Sequence, residues 1–167
     1  MEISVQVEAA AGTPAAVEYR WDTDTAILTA HLADDGQGRG LSGSVELAGN
    51  DGSWLILDMK GGRIHGVEVA VWPEVQKQAG LHAPSEVETA RITVPARRAE
   101  GKVAAVQMDT ALVAETNPEE SVIHFRFGGH IPARTLRIAR DVLLDLDERE
   151  VLSGLWLLNV PPFPADE

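Results

Sequence analysis

The chain has 167 residues, of which 26 are acidic and 14 are basic, so its formal net charge is −12. Phosphate backbones and anionic lipid surfaces repel such a protein, and we therefore expect neither a nucleic-acid nor a membrane partner. Hydrophobic residues make up 44% of the chain and cysteine is absent, which indicates an ordinary globular fold without disulfides or thiolate metal ligands.

The N-terminal part of the chain shows the alternation, with a period of two, that half-buried strands have. Residues 3–7 and 17–21 alternate between apolar and polar side chains, and residues 25–32 are rich in β-branched and apolar ones. A polar turn at residues 22–24 separates the last two segments. This arrangement predicts one strand followed by a β-hairpin.

The next predicted hairpin covers residues 54–73. Residues 34–43 contain four glycines and predict an open loop, and residues 45–47 indicate a short strand. The hairpin itself turns at Gly61 and Gly62, because glycine readily supplies the positive φ that tight hairpins need.

A second version of this hairpin occurs at residues 141–161. The matched positions are Asp58 with Asp145 at a spacing of 87, and Gly66 with Gly154 and Pro73 with Pro161 at a spacing of 88. Upstream, residues 3–17 and 92–106 share seven identities in fifteen positions at a constant spacing of 89, and the spacing becomes 95 at residues 22–28. Chance seldom produces so many aligned identities, so we interpret the chain as an internal duplication.

We therefore predict an all-β protein with two similar antiparallel β-meander halves, related by a pseudo-two-fold axis. Residues 73–80 begin with proline and end with glycine, which is compatible with a short helix in the linker and nowhere else. The predicted units are a first repeat at residues 1–75, a linker at 76–90, a second repeat at 91–162 and a tail at 163–167.

Residues 134–147 are ambiguous, because their apolar side chains suit both helical and alternating spacing. The equivalent stretch of the first copy contains Gly-Asn-Asp-Gly-Ser at residues 49–53, which no helix interior would carry. We therefore predict two strands with a tight turn near Arg140 and Asp141.

Motifs in both halves follow one pattern. They are WDTDTAIL at residues 21–28, LILDMKGGRIHGVEV at 55–69, NPEESVIHF at 117–125 and VLLDLDEREVLSGLWLL at 142–158. Each half thereby resembles a small β domain of an uncharacterised family, a domain of unknown function. The sequence pattern of that family is roughly YD, a few residues, D-x-LYI, a variable loop and GVxVDxDxxGxVxGIEIL. The chain departs from this pattern at three positions. Lys60 replaces the second aspartate in the first half, Asn117 replaces the first acidic residue in the second half, and Trp156 stands where the first half has Glu68. The resemblance implies no catalytic residue.

We expect no metal ion and no nucleotide cofactor. The five histidines form no H-x-x-H or H-E-x-x-H spacing, although His124 and His130 could approach each other across a turn. The glycine-rich residues 36–43 lack the Gly-Lys-Ser/Thr ending of phosphate-binding loops, and no serine stands in a G-x-S-x-G elbow.

We expect a soluble, cytoplasmic protein. The first residues lack the basic and apolar regions of a signal peptide. No stretch approaches the roughly 18 apolar residues that a membrane span needs.

The two hairpins contain the side chains that we single out as candidate binding residues. Clustered carboxylates can do acid–base chemistry where burial separates their pKa values, but they are also ordinary near turns. Large aromatic residues present in only one copy can pack between the halves or anchor a ligand. The candidates are Asp58, His65, Glu68, Asp145, Asp147 and Trp156.

These features favour a non-catalytic binding or assembly module. An acidic surface suits a basic protein partner, and open strand edges are compatible with self-association. The alternative is a small carboxylate-dependent hydrolase with its site in the groove between the two halves. Binding is favoured because no nucleophile, base and orienting group can be assembled from local spacing.

Overall fold

The structure is a computed structural model that describes residues 2–10, 12–33, 40–95, 104–129 and 131–164, with the backbone alone at residues 104 and 105. Over those residues it has fourteen strands and no helix, so the all-β prediction is confirmed. The described part also contains no helix that could span a membrane. In chain order the strands are β1 (Gln6–Ala9), β2 (Val17–Trp21), β3 (Leu28–Leu32), β4 (Gly43–Gly49), β5 (Trp54–Lys60), β6 (Arg63–Val71), β7 (Val75–Lys77), β8 (Glu88–Thr93), β9 (Ala104–Thr110), β10 (Val113–Thr116), β11 (Ile123–Arg126), β12 (Arg134–Ala139), β13 (Val142–Leu146) and β14 (Leu152–Leu157).

The strands form two sheets. The first sheet has six strands in the order β2-β3-β6-β5-β4-β9, and only β4 and β9 run parallel. The second sheet has eight strands in the order β1-β8-β12-β13-β14-β11-β10-β7. Its parallel pairs are β8 with β12 and β10 with β7. Each sheet therefore contains strands from both sides of residues 76–90.

Five strands of each sheet pair in the same order and with the same direction. They are β2-β3-β6-β5-β4 in the first sheet and β10-β11-β14-β13-β12 in the second, antiparallel throughout. Asp58 lies opposite Gly66, and Asp145 lies opposite Gly154. The register shifts at the residue that follows each of these aspartates, so both hairpins are bulged at the same point.

The two local predictions about ambiguous segments have opposite outcomes. Residues 134–147 form β12 and β13 around a turn at residues 140–141, as predicted. Residues 73–80, which were compatible with a short helix, do not form one, because Val75–Lys77 is the strand β7. A helix this short is marginal in water, whereas pairing with β10 satisfies the backbone groups of an extended segment, including a bond from Gln78 N–H to the Thr116 carbonyl at 2.8 Å.

Both sheets contribute to one hydrophobic core. In β5 alternate residues point into it, and Leu55 and Leu57 are 0% and 2% exposed. The strands β13 and β14 differ, because all their residues from end to end are buried. The centre of the eight-stranded sheet is thus covered on both faces, and polar side chains on the face away from the core are enclosed as well.

Candidate functional site

The residues predicted as binding candidates lie in different places. Asp58, His65 and Glu68 belong to β5 and β6 of the first sheet, Asp145 and Trp156 to β13 and β14 of the second, and Asp147 to the turn after β13. The structure brings Asp145 and Trp156 into contact, whereas Asp58 is exposed on the other sheet. The two aspartates alternate with core residues on their own strands, so each faces away from the shared core.

Asp145 is the centre of a buried polar group that we call the His124 cluster, made of His124, Thr135, Asp145 and Trp156. Its Oδ2 lies 2.7 Å from His124 Nε2. Its Oδ1 accepts hydrogen bonds from Thr135 Oγ1 at 2.7 Å and from Trp156 Nε1 at 3.2 Å. The His124 and Trp156 rings are stacked, with centroids 3.8 Å apart. Four neighbouring strands each contribute one side chain to this cluster.

A histidine held by an aspartate is the arrangement that general-base catalysis uses, but this pair is enclosed. His124 is 8% exposed and Asp145 is 2% exposed, so a substrate could not reach the ring without a rearrangement. Both Asp145 oxygens are already occupied by partners from the neighbouring strands. The arrangement therefore serves to satisfy buried polar groups and to hold four strands together.

The Asp147 side chain stabilises a turn, and Asp58 is exposed on the surface of the first sheet. The Oδ1 of Asp147 accepts hydrogen bonds from the backbone N–H groups of Arg149 and Val151, at 2.8 and 2.9 Å, and so holds the turn between β13 and β14. On the first sheet, the His65 ring contacts the His31 ring edge to face, with centroids 4.6 Å apart. Within the described ranges, no three His, Asp or Glu side chains could hold a metal ion together. His130, the suggested partner of His124, lies outside those ranges.

A concave site of a different kind lies between the edges of the two sheets. It is a cavity of about 210 Å³, and we call it the aromatic cleft. It is lined by Trp21, Trp72, Val75, Lys77, Thr116, Glu120, Ile123, Pro161 and Phe163. These residues come from β2, β7, β10 and β11, from the position after β6, from the turn after β10 and from the C-terminal segment, so the cleft exists only in the assembled fold.

Three aromatic rings form one wall of the cleft. Trp21 and Trp72 are stacked with centroids 5.8 Å apart and planes 18° from parallel, and Phe163 meets Trp21 edge to face at 5.2 Å. The indole N–H groups bond inside the protein, from Trp21 to the Pro161 carbonyl at 2.9 Å and from Trp72 to the Ala26 carbonyl at 2.8 Å. Their hydrogen bonds fix the rings in place, and their apolar surfaces line the cavity.

Polar groups around the cleft have partners of their own. The Thr116 hydroxyl donates to the Val122 carbonyl at 2.9 Å. Lys77 Nζ lies 3.3 Å from a Glu120 carboxylate oxygen at the rim. This wall of fixed rings with engaged polar neighbours can bind an apolar group, and it offers no free nucleophile among the side chains that line it.

Tyr19 anchors the C-terminal segment beside the cleft. Its hydroxyl donates to the Leu158 carbonyl at 2.8 Å and lies 3.3 Å from the Asp141 carbonyl. Burial raises the pKa of Tyr19 well above its usual range, and the nearby Asp141 carboxylate raises it further. Tyr19 and Trp21 thus hold two successive parts of the same segment.

The sequence alone did not single out Trp21 and Phe163 as site residues. Trp21 ends a predicted strand, and Phe163 lies in the predicted tail, 142 positions further along the chain. The available signal was the presence of tryptophans in one copy and not the other, which pointed to Trp54, Trp72 and Trp156 but not to the cleft. No local sequence pattern predicts that two distant segments will contact each other.

A scan against models of known protein families matched none of them, and a search of curated proteins found no similar sequence. The chemistry of the aromatic cleft and of the His124 cluster is therefore the basis on which a function can be proposed.

Proposed function

We propose that this protein is a non-catalytic binding module and that the aromatic cleft is its binding site. The observation that carries the proposal is the stacked pair of Trp21 and Trp72 against a cavity of about 210 Å³. Concave apolar sites with a few fixed polar groups are where proteins bind ligands, and tryptophan is enriched among residues that dominate binding energy. The partner that the acidic chain favours is a basic protein.

The polar groups favour binding over hydrolysis. The rim carboxylate of Glu120 is paired with Lys77, and the Thr116 hydroxyl is engaged with a backbone carbonyl. The alternative, a carboxylate-dependent hydrolase, would need an accessible acid–base pair. Asp58 and Asp145 lie on different sheets, and Asp145 is enclosed, which counts against a shared site.

The proposal includes the duplication inferred from the sequence. Two copies of one unit, related by a pseudo-two-fold axis, would explain why five strands pair in the same order in both sheets. At the spacings of 95 and 88, Trp21 corresponds to Thr116 and Val75 corresponds to Phe163, and all four line the cleft. The cleft would thus lie on the axis. The resemblance of each half to a domain of unknown function belongs to this proposal.

Peptide selection tests the binding function directly. A displayed library of random peptides is selected on the unaltered chain and, in parallel, on Trp21→Ala. We expect enriched peptides to lose binding on Trp21→Ala and to retain it on Trp54→Phe, because Trp54 lies on β5, does not line the cleft and bonds to Glu46. Circular dichroism of each variant controls for folding.

The hydrolase alternative has its own test. The chain is assayed against a panel of esters, phosphoesters and glycosides, with Asp58→Asn and Asp145→Asn as variants. Turnover that disappears in either variant, together with no peptide that depends on Trp21, would replace the binding function with the hydrolase.

A further inference from the structure

The strand β2 has an open edge beside the aromatic cleft. Its only neighbour among the described strands is β3. The ladder to β3 uses the even-numbered residues, because Asp22 N–H bonds to the Ile27 carbonyl and Ala33 N–H bonds to the Ala16 carbonyl. In an antiparallel ladder the intervening residues direct their N–H and C=O groups to the other side. The backbone groups of Tyr19 and Trp21 therefore face the open edge.

The corresponding edge of the second sheet is filled. β10 occupies the position there that β2 has in the first sheet, and it pairs on its outer side with β7 in parallel. Ala114 pairs with Val75, and Thr116 pairs with Lys77. At the spacing of 95 these two β10 residues correspond to Tyr19 and Trp21. The groups left open on β2 are thus the counterparts of those that β7 satisfies on β10.

The segment that reaches the open edge has few N–H groups that could donate to it. Residues 161–164 are Pro-Pro-Phe-Pro, and they correspond at the spacing of 88 to residues 73–76, which include the first two residues of β7. Proline has no N–H to donate to a ladder. This segment is held at Trp21 by the hydrogen bond to the Pro161 carbonyl and by the Phe163 ring, which is 43% exposed. A segment with free N–H groups would gain ladder bonds that these residues cannot form.

We propose that β2 accepts an extended segment of a partner protein as an added parallel strand, in the way that β10 accepts β7, with an apolar side chain that takes the place of Phe163 in the aromatic cleft. The inference rests on the proposed function and names its ligand. In this mode of recognition the backbone bonds supply affinity and the side-chain pocket supplies specificity.

The charge around the edge defines the partner further. Lys77 follows Val75 by two residues and pairs with Glu120, in the turn that follows β10. The turn that follows β2 contains the exposed Asp22 and Asp24. A lysine or arginine two residues after the apolar side chain of the added strand would be attracted to the negative charge of this turn. The fitting ligand is therefore an extended peptide that has no proline at its ladder-donating positions and contains an apolar residue, a polar residue and a basic residue in succession.

A peptide with the sequence of residues 73–79, Pro-Glu-Val-Gln-Lys-Gln-Ala, is the probe, because it contains β7 itself. It is titrated into the full chain, and binding is followed by tryptophan fluorescence and by hydrogen exchange of the backbone amides. We expect saturable binding, with exchange of the Tyr19 and Trp21 amides slowed at least about tenfold. The same peptide with Gln76→Pro and Gln78→Pro should bind about tenfold more weakly, because it lacks ladder donors.

Protein variants separate the cleft from the edge. Trp21→Ala should weaken peptide binding at least about tenfold, whereas Trp54→Phe should leave it unchanged.

Equal binding of the unaltered peptide and its proline variant would overturn the proposal of an added strand. A dependence on Trp21 would then leave the binding function standing. Binding of neither peptide, while library-selected peptides still require Trp21, would overturn the inference in the same way. A concentration-dependent dimer that protects the Tyr19 and Trp21 amides without peptide would assign the edge to a second copy and also overturn it.

Discussion

Tyr19 is the only tyrosine in the chain, so its titration can be followed without interference. Burial, with the Asp141 carboxylate as the second cause, raises its pKa well above the usual value of 10.0. The folded protein therefore keeps the phenolic proton at a pH where the unfolded chain releases it. Because the unfolded state then binds fewer protons, the stabilisation is complete below about pH 10 and is lost as the pH rises towards the folded-state pKa.

We expect Tyr19→Phe to lower the free energy of unfolding by about 1–2 kcal/mol at neutral pH, because it leaves the part-buried Leu158 carbonyl without its donor. The variant should also lose stability less steeply above about pH 10, since the group that titrates is gone. Urea unfolding at neutral and alkaline pH measures both effects. Tyrosinate absorbance that appears near the usual pKa in the folded protein would contradict the argument.

The two matched aspartates give a second prediction at the scale of single residues. Asp145 is 2% exposed and has three side-chain partners, whereas Asp58 is exposed at the equivalent position. Asp145→Asn should cost about 1–3 kcal/mol, because an amide offers one acceptor oxygen where the carboxylate offers two. Asp58→Asn should change stability by less than about 0.5 kcal/mol. Chemical unfolding of both variants compares the two, and equal costs would mean that the His124 cluster contributes little to stability.

Among the elements, the turn between β5 and β6 depends most clearly on residue type. Gly61 and Gly62 have φ values of 59° and 84°, the pair of positive angles found in tight hairpins. A Cβ added at Gly62 would lie 2.6 Å from Thr93 Cγ2 and 2.9 Å from the Val94 carbonyl oxygen. The turn therefore packs closely against the residues that end β8.

We expect Gly62→Ala to cost about 1–3 kcal/mol, from backbone strain and from the close contacts together. Gly61→Asn should stay within about 0.5 kcal/mol of the unaltered chain, because asparagine tolerates a left-handed conformation in such turns. Urea midpoints of the two variants provide the measurement. A larger loss for Gly61→Asn than for Gly62→Ala would show that the turn has a different backbone conformation.

At the scale of the whole molecule, the sheets depend on strands that come from the far part of the chain. β1 pairs with β8, β7 pairs with β10, and β9 pairs with β4. A fragment of residues 1–80 would contain β1 and β7 without their partners and β4 without its outer neighbour. It would also lack half of the shared core, and a domain this small is marginal without disulfides or metal.

We therefore expect residues 1–80 and residues 81–167, expressed separately, to be unfolded or aggregated, and their mixture to recover the circular dichroism of the full chain. Size-exclusion chromatography and thermal unfolding of each sample measure this. A monomeric 1–80 fragment that unfolds cooperatively would show that the first half is an independent unit.

The sequence by itself determined several of the strands and their turns. The alternation at Val17–Trp21, the glycine pair at Gly61 and Gly62, and the comparison of residues 134–147 with residues 49–53 all predicted elements that the structure contains. These features are local, because burial of one face sets a period of two and a tight turn needs a particular backbone conformation. The segment at residues 73–80 was misread, since its local signals suit a helix but its partner, β10, lies far along the chain.

Only the tertiary structure decided how the strands assemble and where the sites lie. The aromatic cleft joins Trp21 to Phe163, and the His124 cluster joins β11 to β14 through the carboxylate of Asp145. In two parallel pairs, β4 with β9 and β10 with β7, one strand comes from each side of residues 76–90. No local sequence pattern predicts these pairs, because any apolar strand could pair with an open sheet edge. Which pairing wins depends on the free energy of the whole core, and that is a property of all the side chains together.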